Sequence, residues 1–177
     1  MNITGGKFNG RKITTVKSND VRPTSSKIRS SIFNMLNSLG INFEESIFLD
    51  LFAGSGIMGL EALSRGASKS FFVEKNNNIY KLINQNLTNF DANFETFNMD
   101  ALNFLDKTNE KFDIIFADPP YRSELYDLVV EKVKNNNLLN PKGILILETP
   151  LTYNIPLNIT PLKEKKYGET KIYFLEI

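Results

Sequence analysis

Cysteine, histidine and tryptophan are absent from the 177 residues. Without a thiol or an imidazole the chain forms no disulfide, no Cys/His zinc site, no cysteine nucleophile and no histidine-based triad, whatever its fold. Long apolar runs are missing too. Ile114–Ala117 and Ile144–Leu147 are among the longest, far short of the roughly 20 residues that a bilayer-crossing helix needs. The opening Met1-Asn2-Ile3-Thr4-Gly5-Gly6-Lys7 lacks the apolar stretch of a secretory signal. A cytoplasmic protein with no membrane contact is the expectation. What is present, 41% hydrophobic and 23% charged residues, is the balance of an ordinary globular chain, and the length suits one domain with a substantial core.

Net charge is only +1, but it is unevenly placed. Residues 1–30 carry Lys7, Arg11, Lys12, Lys17, Arg22, Lys27 and Arg29 against Asp20 alone, a net of +6, which leaves −5 for the rest. A basic arm on a mildly acidic body suggests a polyanionic partner met at one end; a merely solvated terminus explains the arm equally well.

Residues 4–22, with glycines at 5, 6 and 10 and alternation over Lys12–Val16, read as a short hairpin or loose strands. Beyond Arg22-Pro23, Thr24 or Ser25 is a good N-cap for a helix marked by Ile28, Ile32, Met35, Leu36 and Leu39 and stopped by Gly40. From Ser46 onward short apolar runs alternate with helical stretches. Strands are expected at Ser46–Phe52, Ser70–Val73, Phe94–Asn98, Phe112–Ala117 and Gly143–Glu148, with helices at Gly59–Arg65, Asn78–Asn89, Ala101–Lys107 and Ser123–Lys134. Continuous apolar strands separated by helices imply a parallel sheet covered on both faces. Leu162–Tyr167 and Thr170–Ile177, around Gly168, read as a hairpin returning antiparallel at the sheet edge. The expectation is one α/β domain: a basic arm over residues 1–22 attached to a body over 23–177.

In open α/β sheets ligands bind outside the carboxyl ends of the strands. Four successive strands are followed there by an acid: Asp50, Glu74, Asp100 and Asp118. One such acid means little, because Asp is favoured in turns and caps, but four along one rim suit a ligand rich in donors or positive charge. The first belongs to Asp50-Leu51-Phe52-Ala53-Gly54-Ser55-Gly56-Ile57-Met58-Gly59, and Glu74 lies twenty residues beyond Gly54. This is the spacing of a dinucleotide fingerprint, whose acid binds a ribose. A pyrophosphate, however, would be repelled by Asp50. S-adenosylmethionine fits better, with a methionine moiety, a ribose diol, an adenine amine and a sulfonium but no phosphate. In this reading Gly54 and Gly56 admit the methionine part, Glu74 accepts from the ribose hydroxyls, and Asp100 accepts from the adenine amine. The backbone N–H of Ala101 donates to the adenine ring.

Asp118-Pro119-Pro120-Tyr121 is the most specific element. Two prolines after a core strand force an extended turn without amide donors. A planar base could then donate its exocyclic amine to the Asp118 carboxylate and the Pro119 carbonyl while stacking on Tyr121.

These motifs resemble those of class I S-adenosylmethionine-dependent methyltransferases, in the amino-methylating branch that carries an Asp/Asn-Pro-Pro-Tyr/Phe motif. The resemblance extends to the RsmD family through several segments. They are Ile3–Arg11 with its Gly-Gly-Lys, Arg22-Pro23-Thr24, the Arg29–Leu36 helix, Asp50–Gly66, Glu74-Lys75, Asp118–Tyr121 and Tyr167-Gly168-Glu169-Thr170. Members of that family methylate the N2 amine of one guanine in small-subunit ribosomal RNA. The resemblance implies a Rossmann-like, doubly wound, mostly parallel seven-stranded sheet whose last strand is antiparallel. It implies that Thr24, Asp50, Phe52, Ala53, Lys75 and Asp118 join the cofactor contacts, and that Asp118, Pro119 and Tyr121 are catalytic. Lys7, Arg11, Lys12, Arg22, Lys27 and Arg29 are the expected RNA contacts, with Arg22 equally suited to bracing the cofactor pocket. No metal is called for, the partner is ribosomal RNA, free or in an assembling particle, and a monomer is expected. Residues 149–160 match nothing of use. Other readings remain open: an adenine-N6 methyltransferase acting on DNA or RNA, an NAD-linked oxidoreductase, or a non-catalytic RNA-binding module.

Overall fold

The computed structural model describes residues 1–15, 25–120 and 123–177, and of Ser123 only the backbone. Helix α1 (Ser26–Ser38) starts at Ser25, whose hydroxyl accepts from the Ile28 N–H at 3.3 Å, and it ends as Gly40 turns left-handed. After a 3-10 turn at Phe43–Glu45 the chain enters β1 (Ile47–Asp50), then α2 (Ile57–Ser64), β2 (Lys69–Val73) and α3 (Asn77–Leu87). There follow β3 (Phe94–Phe97), α4 (Ala101–Lys107), β4 (Phe112–Ala117), α5 (Ser123–Asn135), β5 (Leu139–Pro150), β6 (Lys163–Tyr167) and β7 (Thr170–Leu175). Asn76 caps α3 and Asp100 caps α4, each accepting backbone N–H bonds from the first turn.

The seven strands form one sheet in the order β3-β2-β1-β4-β5-β7-β6. The first five are parallel, and β7 runs antiparallel to both β5 and β6. Alternate strand residues feed two cores. Phe48, Phe72, Ile114, Phe116, Ile146 and Phe174 face α1, α2, α3 and the arm. Leu49, Phe71, Ile115, Leu145, Leu147 and Tyr173 face α4 and α5. Burial on both faces is why these strands read as unbroken apolar runs. This is the Rossmann-like, mostly parallel sheet with an antiparallel last strand.

Three details differ from expectation. Helix α2 starts two residues early, because Gly56 takes the left-handed N-cap conformation (φ 79°) that launches it. Strand β5 is twice the expected length: it begins at Leu139 and passes a register shift between Phe112 and Ile114 before the run Ile144–Leu147. Pro141-Lys142-Gly143, with Lys142 at φ 66°, looks like a turn but is accommodated within the irregular strand. The terminal hairpin does not simply lie at the edge. Its second strand, β7, is inserted beside β5 and is buried throughout, while β6 forms the edge with exposed Lys163, Lys165 and Lys166. Lysines on an edge discourage further strand pairing.

Over its described residues, 1–15, the arm is a short hairpin-like pairing: Asn2 and Lys12 form an antiparallel bridge, the Ile3 N–H donates to the Arg11 carbonyl at 3.0 Å and the Ile13 N–H to the Met1 carbonyl at 2.8 Å. Ile3, Phe8 and Ile13 are buried in the α1–α3 core.

Candidate active site

Strand order reverses between β1 and β4, which leave in opposite directions across the sheet and open a crevice at their carboxyl ends. The Leu51 N–H donates to the Phe116 carbonyl at 2.9 Å, so the two strand ends are in register where they part. On the β1 side, Gly54 (φ 53°) and Gly56 shape a turn that is open at Gly54, where a Cβ would find only the Phe52 carbonyl at 3.9 Å, and packed at Gly56, where a Cβ would meet Ile83 at 3.4 Å and Phe72 at 3.5 Å. The Gly54 N–H donates to Glu74 Oε2 at 3.0 Å, and the Asn76 N–H to Glu74 Oε1 at 2.7 Å. The twenty-residue spacing read from the sequence is therefore a contact, with the glycine turn fastened to the acid that follows β2. Ala53 is buried and donates its N–H to the Val73 carbonyl, while Phe52 packs on the α4/α5 core.

Asp50 lies below the rim rather than on it. It is 1% exposed, and its Oδ2 accepts from the Gly59 N–H at 3.0 Å. This carboxylate ties the end of β1 to the first turn of α2. Burial pushes its pKa up to about 8; the Gly59 bond opposes the rise and the Glu74 charge adds to it. Asp100 uses one oxygen to cap α4, accepting from the Leu102 N–H at 3.0 Å, and places the other 3.2 Å from the Lys75 ammonium. Ala101 is the buried first residue of α4.

Across the crevice, Asp118 follows β4 and leads into buried Pro119 and exposed Pro120. Its carboxyl is held well above the ordinary range, first by burial and then by the charges of Glu148 and Asp50. Tyr121, Arg22 and Thr24, all expected at the site, lie outside the described residues. Sequence reasoning passed over Glu148. The signal was present, because Glu148 follows Ile144–Leu147 as Asp118 follows the apolar β4. The unread residues 149–160 also find a place. Buried Lys171 of β7 donates to the Tyr153 carbonyl at 2.8 Å and to Asn154 Oδ1 at 3.2 Å, while the Tyr153 hydroxyl donates to Asp127 on α5 at 2.7 Å. The loop thus straps down the helix that continues from the Asp118 turn.

The basic arm separates into two kinds of residue. Lys7, Arg11, Lys12 and Lys27 are exposed. Arg11 donates to the Asn89 carbonyl at 2.7 Å and lies over the Phe90 ring, which holds the arm against the end of α3. Arg29, expected to contact RNA, is 1% exposed and does not reach the surface. Its Nε lies 3.1 Å from Glu61 Oε1 and its Nη2 donates to the Asn2 carbonyl at 2.7 Å. Glu61, fully buried, also accepts from the Thr4 N–H and hydroxyl and from Arg65. Arg29 is a buried strut that joins the arm, α1 and α2. Among the described residues no helix is long and apolar enough to cross a membrane.

A switch-point crevice with a glycine turn on one strand and Asp-Pro-Pro on the next is the layout of Rossmann-like methyltransferases, and solved structures agree. A putative methyltransferase from Escherichia coli superposes with a TM-score of 0.86 at 29% identity, covering 98% of this chain and 96% of that one. The family model described as conserved hypothetical protein 95 matches residues 1–176, and the chain belongs to that family, the RsmD family of the sequence motifs. Two proteins named ribosomal RNA small subunit methyltransferase D are among its relatives. That of Haemophilus influenzae is 34% identical over 173 residues, covering 94% of this chain and 88% of the relative. That of Escherichia coli strain K12 is 31% identical over 171 residues, covering 94% and 85%.

Proposed function

We propose that this chain transfers a methyl group from S-adenosylmethionine to the exocyclic N2 amine of a guanine in small-subunit ribosomal RNA. The observation that carries the reading is the pairing, across one switch point, of the Gly54–Glu74 contact with the Asp118-Pro119-Pro120 turn. The residues fit the donor. The turn leaves room at Gly54 for a backbone-close ligand, and carboxylates outnumber the one described cation, Lys75, along the rim, so a phosphate-free, positively charged molecule is favoured over a dinucleotide. Gly54, Gly56, Phe52 and Ala53 would hold the amino-acid end, Glu74 the ribose hydroxyls, and Asp100, Ala101 and Lys75 the adenine. S-adenosylmethionine supplies a methyl group on positively charged sulfur, whose C–S bond gives way to a C–N bond while the electron pair stays on sulfur.

A guanine amine is a poor nucleophile because its lone pair is delocalised into the ring. Asp118 and the Pro119 carbonyl, accepting its two N–H bonds, free that lone pair and stabilise the positive charge that grows on nitrogen. In comparable sites one well-placed group contributes about 3–4 kcal/mol. Orientation supplies much of the rest. The proton that nitrogen sheds passes to Asp118, whose affinity for it is raised by burial and by Glu148 and Asp50. Exposed Lys7, Arg11, Lys12 and Lys27 meet phosphates, and the target base leaves its stack at a cost of a few kcal/mol.

The test is to incubate the purified chain with methyl-labelled donor and small-subunit ribosomal RNA, then digest the RNA to nucleosides. N2-methylguanosine at one position is expected. N6-methyladenosine, or no incorporation into free RNA or precursor particles, overturns the proposal.

A further inference from the structure

The base that enters this site has to be chosen, and the carboxyl end of β5 holds a group suited to the choice. Ala117 of β4 is paired with Leu147 of β5, so Asp118 and Glu148 are the next residues along neighbouring parallel strands. Ala117 and Leu147 both face the α4/α5 core. Within β5 alternation turns Glu148 toward the opposite face, the side of Ile146 and α2, while Asp118 is the residue just beyond the end of β4. Glu148 is 7% exposed, and its charge acts directly on Asp118. Adjacent strands run about 4.8 Å apart, so carboxylates on the two strands can reach neighbouring atoms on the edge of one base.

Base chemistry then discriminates. In adenine the amine is flanked by ring nitrogens that only accept hydrogen bonds, and in cytosine the ring nitrogen beside the amine also only accepts. Guanine alone has a ring N–H, at N1, next to its amine. A second carboxylate beside the one that holds the amine is welcome to guanine and repels the ring-nitrogen lone pair of the other two. A site built to accept from such a donor rejects an analogue lacking it far more strongly than apolar contacts allow.

We propose that Glu148 is the residue that selects guanine, its carboxylate accepting the N1–H while Asp118 accepts from the N2 amine. This rests on the methyl-transfer reading above and adds to it a reason for guanine within the site itself. Glu148 sets which base is accepted; the Gly54–Glu74 side of the crevice is untouched by it.

The test uses 2-aminopurine, which keeps the N2 amine but has a lone pair where guanine has N1–H. Ribosomal RNA is ligated to carry guanosine or 2-aminopurine ribonucleoside at the mapped methylation position, and kcat/KM is measured for each with the full chain. The unmodified protein should prefer guanosine at least tenfold. Glu148→Gln, whose amide donates as readily as it accepts, should reduce that preference below threefold while binding S-adenosylhomocysteine within twofold of the original affinity. Glu148→Asp keeps a carboxylate, one methylene shorter, and should keep the preference at a lower kcat/KM; it carries the test if the Gln variant melts below assay temperature. Equal use of the two RNAs by the unmodified protein, an unmoved preference in folded Glu148→Gln, or a preference lost in Glu148→Asp overturns the assignment. Failure of the unmodified protein to methylate any guanosine sinks the methyl-transfer reading instead, so the two failures are told apart.

Discussion

Two clusters of charge in this protein, one around Glu61 and one around Asp118, are built on opposite plans. Around Glu61, fully buried, the neighbours offset its charge: Arg29 and Arg65 supply cations, and Thr4 donates through both its N–H and its hydroxyl. Around Asp118 the neighbours that matter are two more carboxylates, Glu148 and Asp50, and the proton affinity rises. A buried charge whose partners neutralise it is architecture, and here it clamps the arm to α1 and α2. Carboxylates gathered around Asp118 raise its affinity for a proton instead of clamping elements together. The two clusters also differ in depth, Glu61 being fully buried and Asp118 only partly so.

The largest effect is expected where the compensated cluster is broken. Glu61→Gln leaves two guanidinium groups facing a neutral amide and should cost about 3–5 kcal/mol of stability, read as a lower urea midpoint at unchanged slope. Methylation per folded molecule should hold nearly constant at low temperature. Asp118→Ala should do the reverse, with methyl transfer falling about 10²–10³-fold while affinity for S-adenosylhomocysteine, measured by calorimetry, changes less than threefold. If that variant turned over normally, Asp118 would have no part in the chemistry.

Asp50 provides a sharper test through pH. Its folded pKa of about 8 lies above the ordinary 3.8, so the folded state holds a proton that the unfolded chain gives up once pH passes about 4. The stability this contributes is complete below that point and is lost as pH rises toward 8. Asp50→Asn, which retains an acceptor for the Gly59 N–H, should therefore be more stable than the parent at pH 8, by at least about 1.4 kcal/mol, the equivalent of one pKa unit. Its denaturation midpoint should fall less than the parent's between pH 4 and pH 8, the remaining fall coming from Asp118. A parallel pH dependence in the two proteins would place the charge strain elsewhere. The smallest expected change concerns the solvated arm. Replacing Lys7, Arg11 and Lys12 by Gln should lower the slope of log affinity against log salt by about 2–3, one for each phosphate no longer neutralised, with a small fall in melting temperature from the lost Arg11 contacts to Asn89 and Phe90.

Much of this architecture was legible along the chain because it is written in local terms. Five strands and five helices follow from apolar runs, the cap expected at Thr24 or Ser25, and the glycine stop at Gly40. The rim carboxylates and the Gly54–Glu74 relation were equally visible, since spacing after a strand fixes which end of the sheet a residue reaches. What escaped depends on long-range pairing. Arg29 shares a helical face with Phe33 and Leu36, which hints at burial, but its partner Glu61 is 32 residues away and nothing local names it. The insertion of β7 between β5 and β6 depends on how the hairpin docks, not on its own alternation. Glu148 was missed because its importance comes from Asp118, a neighbour only once β4 and β5 are in register.

The bond from Leu51 to Phe116 has a consequence for how the protein comes into being. Donor pocket and target pocket meet across two strands that touch in the sheet but are separated by more than sixty residues of chain. During synthesis the glycine turn and Glu74 leave the ribosome well before Asp118. Until β4 seats itself, β1 has an open flank and Asp50 still faces water. Competence for methylation is thus not accumulated piece by piece on the growing polypeptide; it arrives with the insertion of a single central strand.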